Sequence, residues 1–195
     1  MARPTLSTLS LFAAVFAVQS LIDVLGMGLG LFVLALPLAE RPWTIVTSVY
    51  AHGSLVHLFA NALALIVVGP LIARVTTPIR FHVFFVVTGA IAGTAQVLLT
   101  TLFGPTAVLG ASGAIFACLG YVLVGNGASQ RVLAWLPIGR RGRVVLFVLV
   151  AALLTAAAAA PGVALVAHFV GFCLGAVAGQ GRILHTTRTD GVRRR

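Results

Sequence analysis

Long apolar stretches broken by short polar punctuation run along this chain from near its start to about residue 180. They cover about residues 8–28, 55–73, 81–101, 112–125, 143–159 and 164–180. A helix needs roughly 20 apolar residues to cross a hydrocarbon core of about 30 Å, so the pattern predicts six membrane-spanning helices. Between the first two runs lies GLGLFVLALPLAERPWTIVTSVYAHGS, apolar as well but carrying two prolines, the Glu40–Arg41 pair and two serines. That mixture predicts a segment lying in the interface or partly re-entrant against protein, not a seventh span. The expected fold is an all-α membrane bundle of six helices with an interfacial first loop, one domain over residues 1–181 followed by a basic cytoplasmic tail at 182–195. No internal repeat is visible, which leaves an inverted-repeat transporter architecture without support.

Composition and charge extend this picture. The chain is 60% hydrophobic and 8% charged, with a net charge of +10, whereas about a quarter of a soluble domain is charged. All 13 basic residues are arginine, a surplus that in a soluble protein would raise the question of nucleic acid. Here the arginines separate apolar runs, so they report orientation and no nucleic-acid partner is expected. Arg3, Arg74, Arg80, Arg131, Arg140, Arg141, Arg143, Arg182, Arg188 and Arg193 to Arg195 fall on one side of a six-span arrangement, 12 of 13, and Arg41 on the other. Both termini are therefore expected in the cytoplasm, with the chain in the inner membrane. The tail GRILHTTRTDGVRRR reads as a topology anchor near anionic lipid. MARPTLSTLS has no small-residue cleavage site with a polar mature domain after it, so the first helix is expected to stay uncleaved. Cys118 and Cys173 lie inside apolar runs and read as buried thiols, not as a disulfide or zinc site.

A polar side chain inside a span costs several kcal/mol unless paired, which makes each one a functional candidate. The candidates are Asp23, His57, Asn61, Ser112 and His168. In the expected orientation the second, fourth and sixth spans run the same way. Asn61 is 13 residues before Arg74, Ser112 is 14 before Asn126, and His168 is 14 before Arg182. At about 1.5 Å per residue the three sit at one height, roughly 20 Å above the cytoplasmic boundary. His57 is one turn above Asn61 on the same face. The fourth span, 14 residues from Ser112 to Gly125, is too short to cross alone. Its N-terminus is expected inside the membrane, with TLFGPTAVLGA dipping to meet it, and a serine there gains from unpaired N–H groups and the positive helix end. His168, Gly171, Gly175 and Gly179 form a small-residue stripe for close helix packing, and Gly110, Gly113 and Gly120 supply small residues in and before the fourth span. The i, i+4 pair His57 and Asn61 lacks the companions that a metal site recruits, and no metal is expected. Asp23 has no assigned role, and His82 and His185 are expected to be solvated near the cytoplasmic border.

Three stretches resemble the signature segments of rhomboid proteases: His52-Gly-Ser-Leu-Val-His57-Leu-Phe-Ala-Asn61, Gly110-Ala-Ser112-Gly113-Ala-Ile-Phe116-Ala, and Ala167-His168-Phe-Val-Gly171. They occur in the order and on the spans found in the six-span bacterial form. The resemblance implies a Ser112–His168 dyad without an aspartate, an oxyanion held by His57, Asn61 and the Ser112 N–H, and Phe116 packed on the His168 ring. It implies a structural role for His52 and matches Trp43 to the first-loop tryptophan. Two positions depart from the family: its Trp-Arg pair is Trp43-Thr44 here, and the acid often found after the Gly-Pro-Leu-Ile type end of span two is Ala73. Both bear on scaffold stability and loop geometry.

The implied activity is intramembrane serine endopeptidase action near the outer face. His168 takes the Ser112 proton as Oγ attacks a peptide carbonyl, and water then releases the acyl-enzyme. No cofactor is implied. Substrates must expose a backbone that a regular helix hides, so membrane proteins with a helix-destabilised transmembrane segment are the expected partners in the bilayer. One rival is a catalytically inactive rhomboid-like protein binding client helices, although such proteins usually lack the serine or the histidine. The other is a small transporter using His57, Asn61 and His168 as an ion path.

Overall fold

The computed structural model describes residues 3–104, 106–159 and 162–186. Pro4 occupies the first turn of α1 (Arg3–Val24), where its missing N–H leaves no bond unmade, so the helix begins before the apolar run does. Gly26 and Gly28, both with positive φ, turn the chain just past its end. The segment up to residue 54 is irregular: a 3₁₀ turn at Leu29–Leu31, the two-residue strand β1 (Leu34–Ala35) and the single-turn α2 (Thr44–Thr47). Ser54 then starts α3 (Leu55–Ala73) by accepting from the His57 N–H, and Thr77 starts α4 (Pro78–Thr100) by accepting from the Arg80 N–H. After a 3₁₀ turn at Thr101–Phe103 comes β2 (Ala107–Val108), antiparallel to β1 with Leu34 opposite Val108 and Ala35 opposite Ala107. The first loop is thereby tied to the loop that leads into α5 (Ser112–Gly125), a pairing that apolar periodicity did not announce. A short α6 (Gly127–Trp135), also unanticipated, leaves α5 at an angle of 55°. Asn126 Oδ1 caps its first turn by accepting from the Ser129 N–H. Two more helices complete the chain, α7 (Arg140–Ala157) and α8 (Leu165–Gln180).

Among the described residues, α1, α3 and α4 with its 3₁₀ extension to Phe103 are long and apolar enough to cross a hydrocarbon core unaided. The bent α5–α6 pair would add a fourth if it counted as one span. Six full-length spans are thus not delivered by helix length alone. The helix α5 has 14 residues and α8 has 16, while α7 opens with Arg140, Arg141 and Arg143. The outward faces are nonetheless apolar: Leu21, Phe59, Leu63, Val67, Val83, Leu149 and Leu153 are each more than half exposed. An apolar surface of that extent is not compatible with water and marks a multi-pass membrane protein.

The helix α5 is the centre of the bundle. Gly113, Ala114, Ile115, Ala117, Cys118, Gly120, Tyr121, Val124 and Gly125 along it are buried, and α8 is its most extensive neighbour. The reason is steric. A Cβ at Gly171 would collide with the Gly113 carbonyl, one at Gly175 with the Ala117 carbonyl, and one at Gly120 with the Phe172 carbonyl. At Gly179 it would sit 2.8 Å from the Tyr121 oxygen. The glycine stripe is therefore the seam through which two backbones touch. Phe12, Leu65, Phe81 and Phe85 close the core on the opposite side.

At the arginine-bearing end two expectations change. His82 is not simply solvated: Ser7 Oγ lies 2.9 Å from its Nε2 and Thr8 Oγ1 3.5 Å from its Nδ1. His185 pairs through Nδ1 with the Tyr121 hydroxyl at 2.7 Å, and that hydroxyl accepts the Leu184 N–H. Both are half-buried, and hydroxyl-bearing residues of neighbouring elements reach them, Ser7 and Thr8 at His82 and Tyr121 at His185. Residues 182–186 accordingly fold back under the bundle, with Leu184 buried in its core and the Thr186 N–H donating to the Val75 carbonyl. The rest of the expected tail, 187–195 with Arg188 and Arg193 to Arg195, lies outside the described residues. Cys118 is buried and Cys173 half-buried, both as free thiols.

Gly175→Ala should destabilise the fold by about 1–3 kcal/mol, because α8 must retreat from α5 to admit the methyl group. A lowered midpoint of thermal unfolding in detergent checks this against Gly127→Ala, at a position where a Cβ meets nothing, which should leave the midpoint in place.

Candidate active site

Ser112 is the first residue of α5, so its N–H and those of the next two residues point out of the helix start without intrahelical partners. The approach to it is set by Gly110, whose φ of 129° belongs to glycine and whose N–H donates to the Ser48 carbonyl at 2.8 Å. The bond to Ser48 and the β1–β2 pairing both anchor this loop to the first-loop segment.

His168 lies in the first turn of α8 and is 6% exposed. Its ring stacks on Phe116, with centroids 4.2 Å apart and planes at 12°. Phe116 stands one turn beyond Ser112 on the same face of α5. The neighbouring Gly113 faces Ala167 and Gly171, which bracket His168 along α8. The serine and the imidazole therefore occupy the one seam where α5 and α8 meet at backbone distance. Among the described residues Ser112 and His168 do not hydrogen-bond to each other, and His168 Nδ1 is buried without a partner. A small cavity of about 10 Å³, near the minimum that one water needs, is lined by Ser112, Gly110, Gly113 and Ala167 together with Ser48 and Ala164.

On the other side of Gly110 stands His57. A Cβ at 110 would lie 2.7 Å from its Cε1 and 2.8 Å from its Nε2, so the absence of a side chain there is what lets the ring reach the loop. Asn61, buried one turn below, donates one amide N–H to the His57 carbonyl at 3.0 Å, leaving the second free to serve another acceptor. Serine, both histidines and the asparagine, drawn from α3, α5 and α8, thus converge at one level of the bundle. Asp23 is exposed at the end of α1 and does not join them.

Two glutamines that stood outside the sequence-derived candidates hold the site's frame. Gln96, buried on α4, accepts the Ala167 N–H at 3.0 Å, satisfying one of the orphan amides at the start of α8 next to His168. Gln19, buried on α1, donates to the His52 carbonyl and accepts the His52 N–H, both at 3.0 Å. The His52 ring then packs edge-on against Phe12 at 4.8 Å and against His57 at 5.2 Å. Burial, and after it the neighbouring His57, push the His52 imidazole down to about 4, so the ring is neutral at physiological pH. A glutamine inside an apolar run carries the same cost as an asparagine there, and that cost was the available signal for both. At the departures from the family pattern, Thr44 is buried with its hydroxyl donating to the Arg41 carbonyl, while Arg41 Nη1 donates to the Gly30 carbonyl at 2.8 Å.

Parts of the chain are similar to known proteins. Bacillus subtilis (strain 168) rhomboid protease GluP is 37% identical over 84 residues, 42% of this chain and 15% of that protein. Arabidopsis thaliana RHOMBOID-like protein 5 is 31% identical over 81 residues, again 42% of this chain and 26% of that protein. The matched stretch spans about a quarter or less of these curated relatives. A family model, Rhomboid domain, matches residues 39–184, about three-quarters of the chain and the whole of the converging site, and by that match the chain belongs to the rhomboid family.

Proposed function

We propose that this chain is an intramembrane serine endopeptidase in which Ser112 is the nucleophile and His168 its general base. The observation that carries the reading is the stacking of His168 on Phe116, one turn from Ser112, across a seam closed by Gly113 and Gly171. His168 takes the Oγ proton while Oγ bonds to the scissile carbonyl carbon. The resulting oxyanion accepts hydrogen bonds from the Ser112 backbone N–H, the free Asn61 amide N–H and His57. Collapse expels the amine, which takes its proton from His168, and leaves an ester on Ser112. Water, deprotonated by His168, attacks that ester and restores the hydroxyl. The hydrogen bond between serine and histidine forms only when substrate excludes solvent, since catalytic contacts in free enzymes are commonly long or poorly aligned.

The remaining expectations belong to the same proposal. Six spans cross the inner membrane, with the short α5 and α8 starting below the outer surface so that their N-termini lie at the level of the cavity. The termini face the cytoplasm. What supports this orientation is that arginines gather at one end: Arg80 Nη1 donates to the His185 carbonyl, close to Arg182, and Arg140 and Arg143 border Gln180 at the end of α8. Substrates are membrane proteins whose transmembrane segment unwinds easily near the outer face.

In proteoliposomes the wild-type chain should cut a single-span substrate carrying a helix-breaking segment, while Ser112→Ala and His168→Ala should not. A fluorophosphonate probe should label Ser112 and lose that labelling in both variants. Equal processing by wild type and Ser112→Ala would refute the assignment. Labelling that never occurs in folded wild type would favour a binding protein without catalysis. Asn61→Ala removes one oxyanion donor, so kcat should fall by about 2–4 kcal/mol of transition-state stabilisation, roughly 30- to 1,000-fold, with residual turnover above the Ser112→Ala background. Gln96→Leu strands the buried Ala167 N–H. It should cost about 1–3 kcal/mol of stability by thermal unfolding, with a parallel drop in the rate of Ser112 labelling as His168 loses its anchor.

A further inference from the structure

At the far end of α5 and α8 from the serine is a second, larger cavity of about 400 Å³, enclosed by α6, the start of α7 and Gln180 at the end of α8. About 14 residues of α5 separate it from Ser112, roughly 20 Å of helix, so it is no part of the site above. Its polar lining comes from Arg140, Arg143, Gln130 and Gln180, and one wall, with Val144 and Phe147, is apolar. Arg143 Nε is buried and has no hydrogen-bond partner among the described residues. A buried guanidinium N–H left unmade costs enough to expect an external acceptor.

Charge bookkeeping points the same way. Arg140, Arg141 and Arg143 crowd the first turn of α7, where the positive end of the helix dipole disfavours cations, and that turn contains no acid. The whole chain has three carboxylate side chains, Asp23, Glu40 and Asp190. Asp23 and Glu40 lie at or beyond the end of α1 that is remote from Ser7 and its partner His82, hence away from the arginine-rich end, and Asp190 is outside the described residues. No described carboxylate lies at this end to supply the counter-charge. We infer that this cavity binds the phosphate of an anionic phospholipid, gripped by Arg140 and Arg143 at the unpaired N–H groups of α7, with the lipid's apolar part against Val144 and Phe147. Guanidinium forks match phosphate oxygens in pairs, and helix starts favour anions. An apolar wall beside the charge suits a lipid and offers nothing to free phosphate. Trp135, 90% exposed at the end of α6, and Val145 and Leu149, each more than half exposed on α7 beyond the arginines, give the elements that form the cavity an apolar outer surface.

The test uses the full chain purified in detergent, stripped of lipid and titrated with phosphatidylglycerol, phosphatidylcholine or inorganic phosphate, with bound lipid read by native mass spectrometry. Phosphatidylglycerol should bind in preference to phosphatidylcholine. Arg140→Gln with Arg143→Gln should weaken it about tenfold or more, whereas Arg74→Gln with Arg80→Gln, at the same end of the bundle, should change it less than about twofold. Equal loss in the two pairs, or equal binding of the two lipids, would overturn the site in favour of general surface charge. Inorganic phosphate displacing the lipid at equal concentration would overturn the lipid as its ligand. Should the double variant fail to fold, Arg143→Lys is read instead. It keeps the charge but lacks the Nε donor, so it should weaken binding several-fold, and unchanged affinity would overturn the proposal.

Discussion

Two helix backbones in an apolar bundle can touch only where nothing larger than hydrogen stands between them. Here the α5–α8 seam is built that way over most of its length, with Gly113 against Gly171, Ala117 against Gly175 and Tyr121 against Gly179. Between helices in lipid there is little hydrophobic drive, so dispersion contacts at short range hold the pair. The same contacts fix rotation about each helix axis. Rotation in turn decides that Phe116 stacks on the His168 ring. Stability and site geometry are consequences of one steric arrangement.

A bundle this apolar must also satisfy each polar group that it buries. It does so for several of them with single, well-aimed side chains, while His168 Nδ1 and Arg143 Nε stay without a partner among the described residues. Gln96 takes an amide at the start of α8 and Gln19 takes both backbone groups of His52, while Thr88 and Thr8 return their hydroxyls to carbonyls of their own helices. These bonds are few, and those of Gln96 and Gln19 hold the start of α8 and the approach to α3. The first loop is fastened by comparable means: β1 to β2, Ser48 to Gly110, and Arg41 to the Gly30 carbonyl. That fastening holds Gly110 against His57. The departure at Thr44 leaves this network intact, because the residue is buried and its hydroxyl donates to the Arg41 carbonyl.

Charge is segregated as sharply as polarity. Arginines collect at one end of the bundle, where the chain has almost no acid to meet them, and the convergence of His57, Asn61, Ser112 and His168 sits toward the other.

Much of this was legible in the residues themselves. Apolar run length determined that the chain is a multi-pass helical membrane protein, because lipid imposes a minimum span and forbids unpaired backbone. The spacing of Asn61 from Arg74, of Ser112 from Asn126 and of His168 from Arg182 led to the expectation that three helices carry polar groups to one height, and the glycine spacing along α8 determined its packing face. Distance from a boundary is a one-dimensional quantity, however, and could not say which loop pairs with which. The β1–β2 ladder, the 55° turn into α6 and the return of residues 182–186 beneath the bundle each depend on contacts between residues far apart in the chain. Only the tertiary structure decided that Gln96 and Gln19 belong to the site's frame. A buried amide reveals its purpose through the partner it reaches, and those partners, at residues 167 and 52, are 71 and 33 positions away.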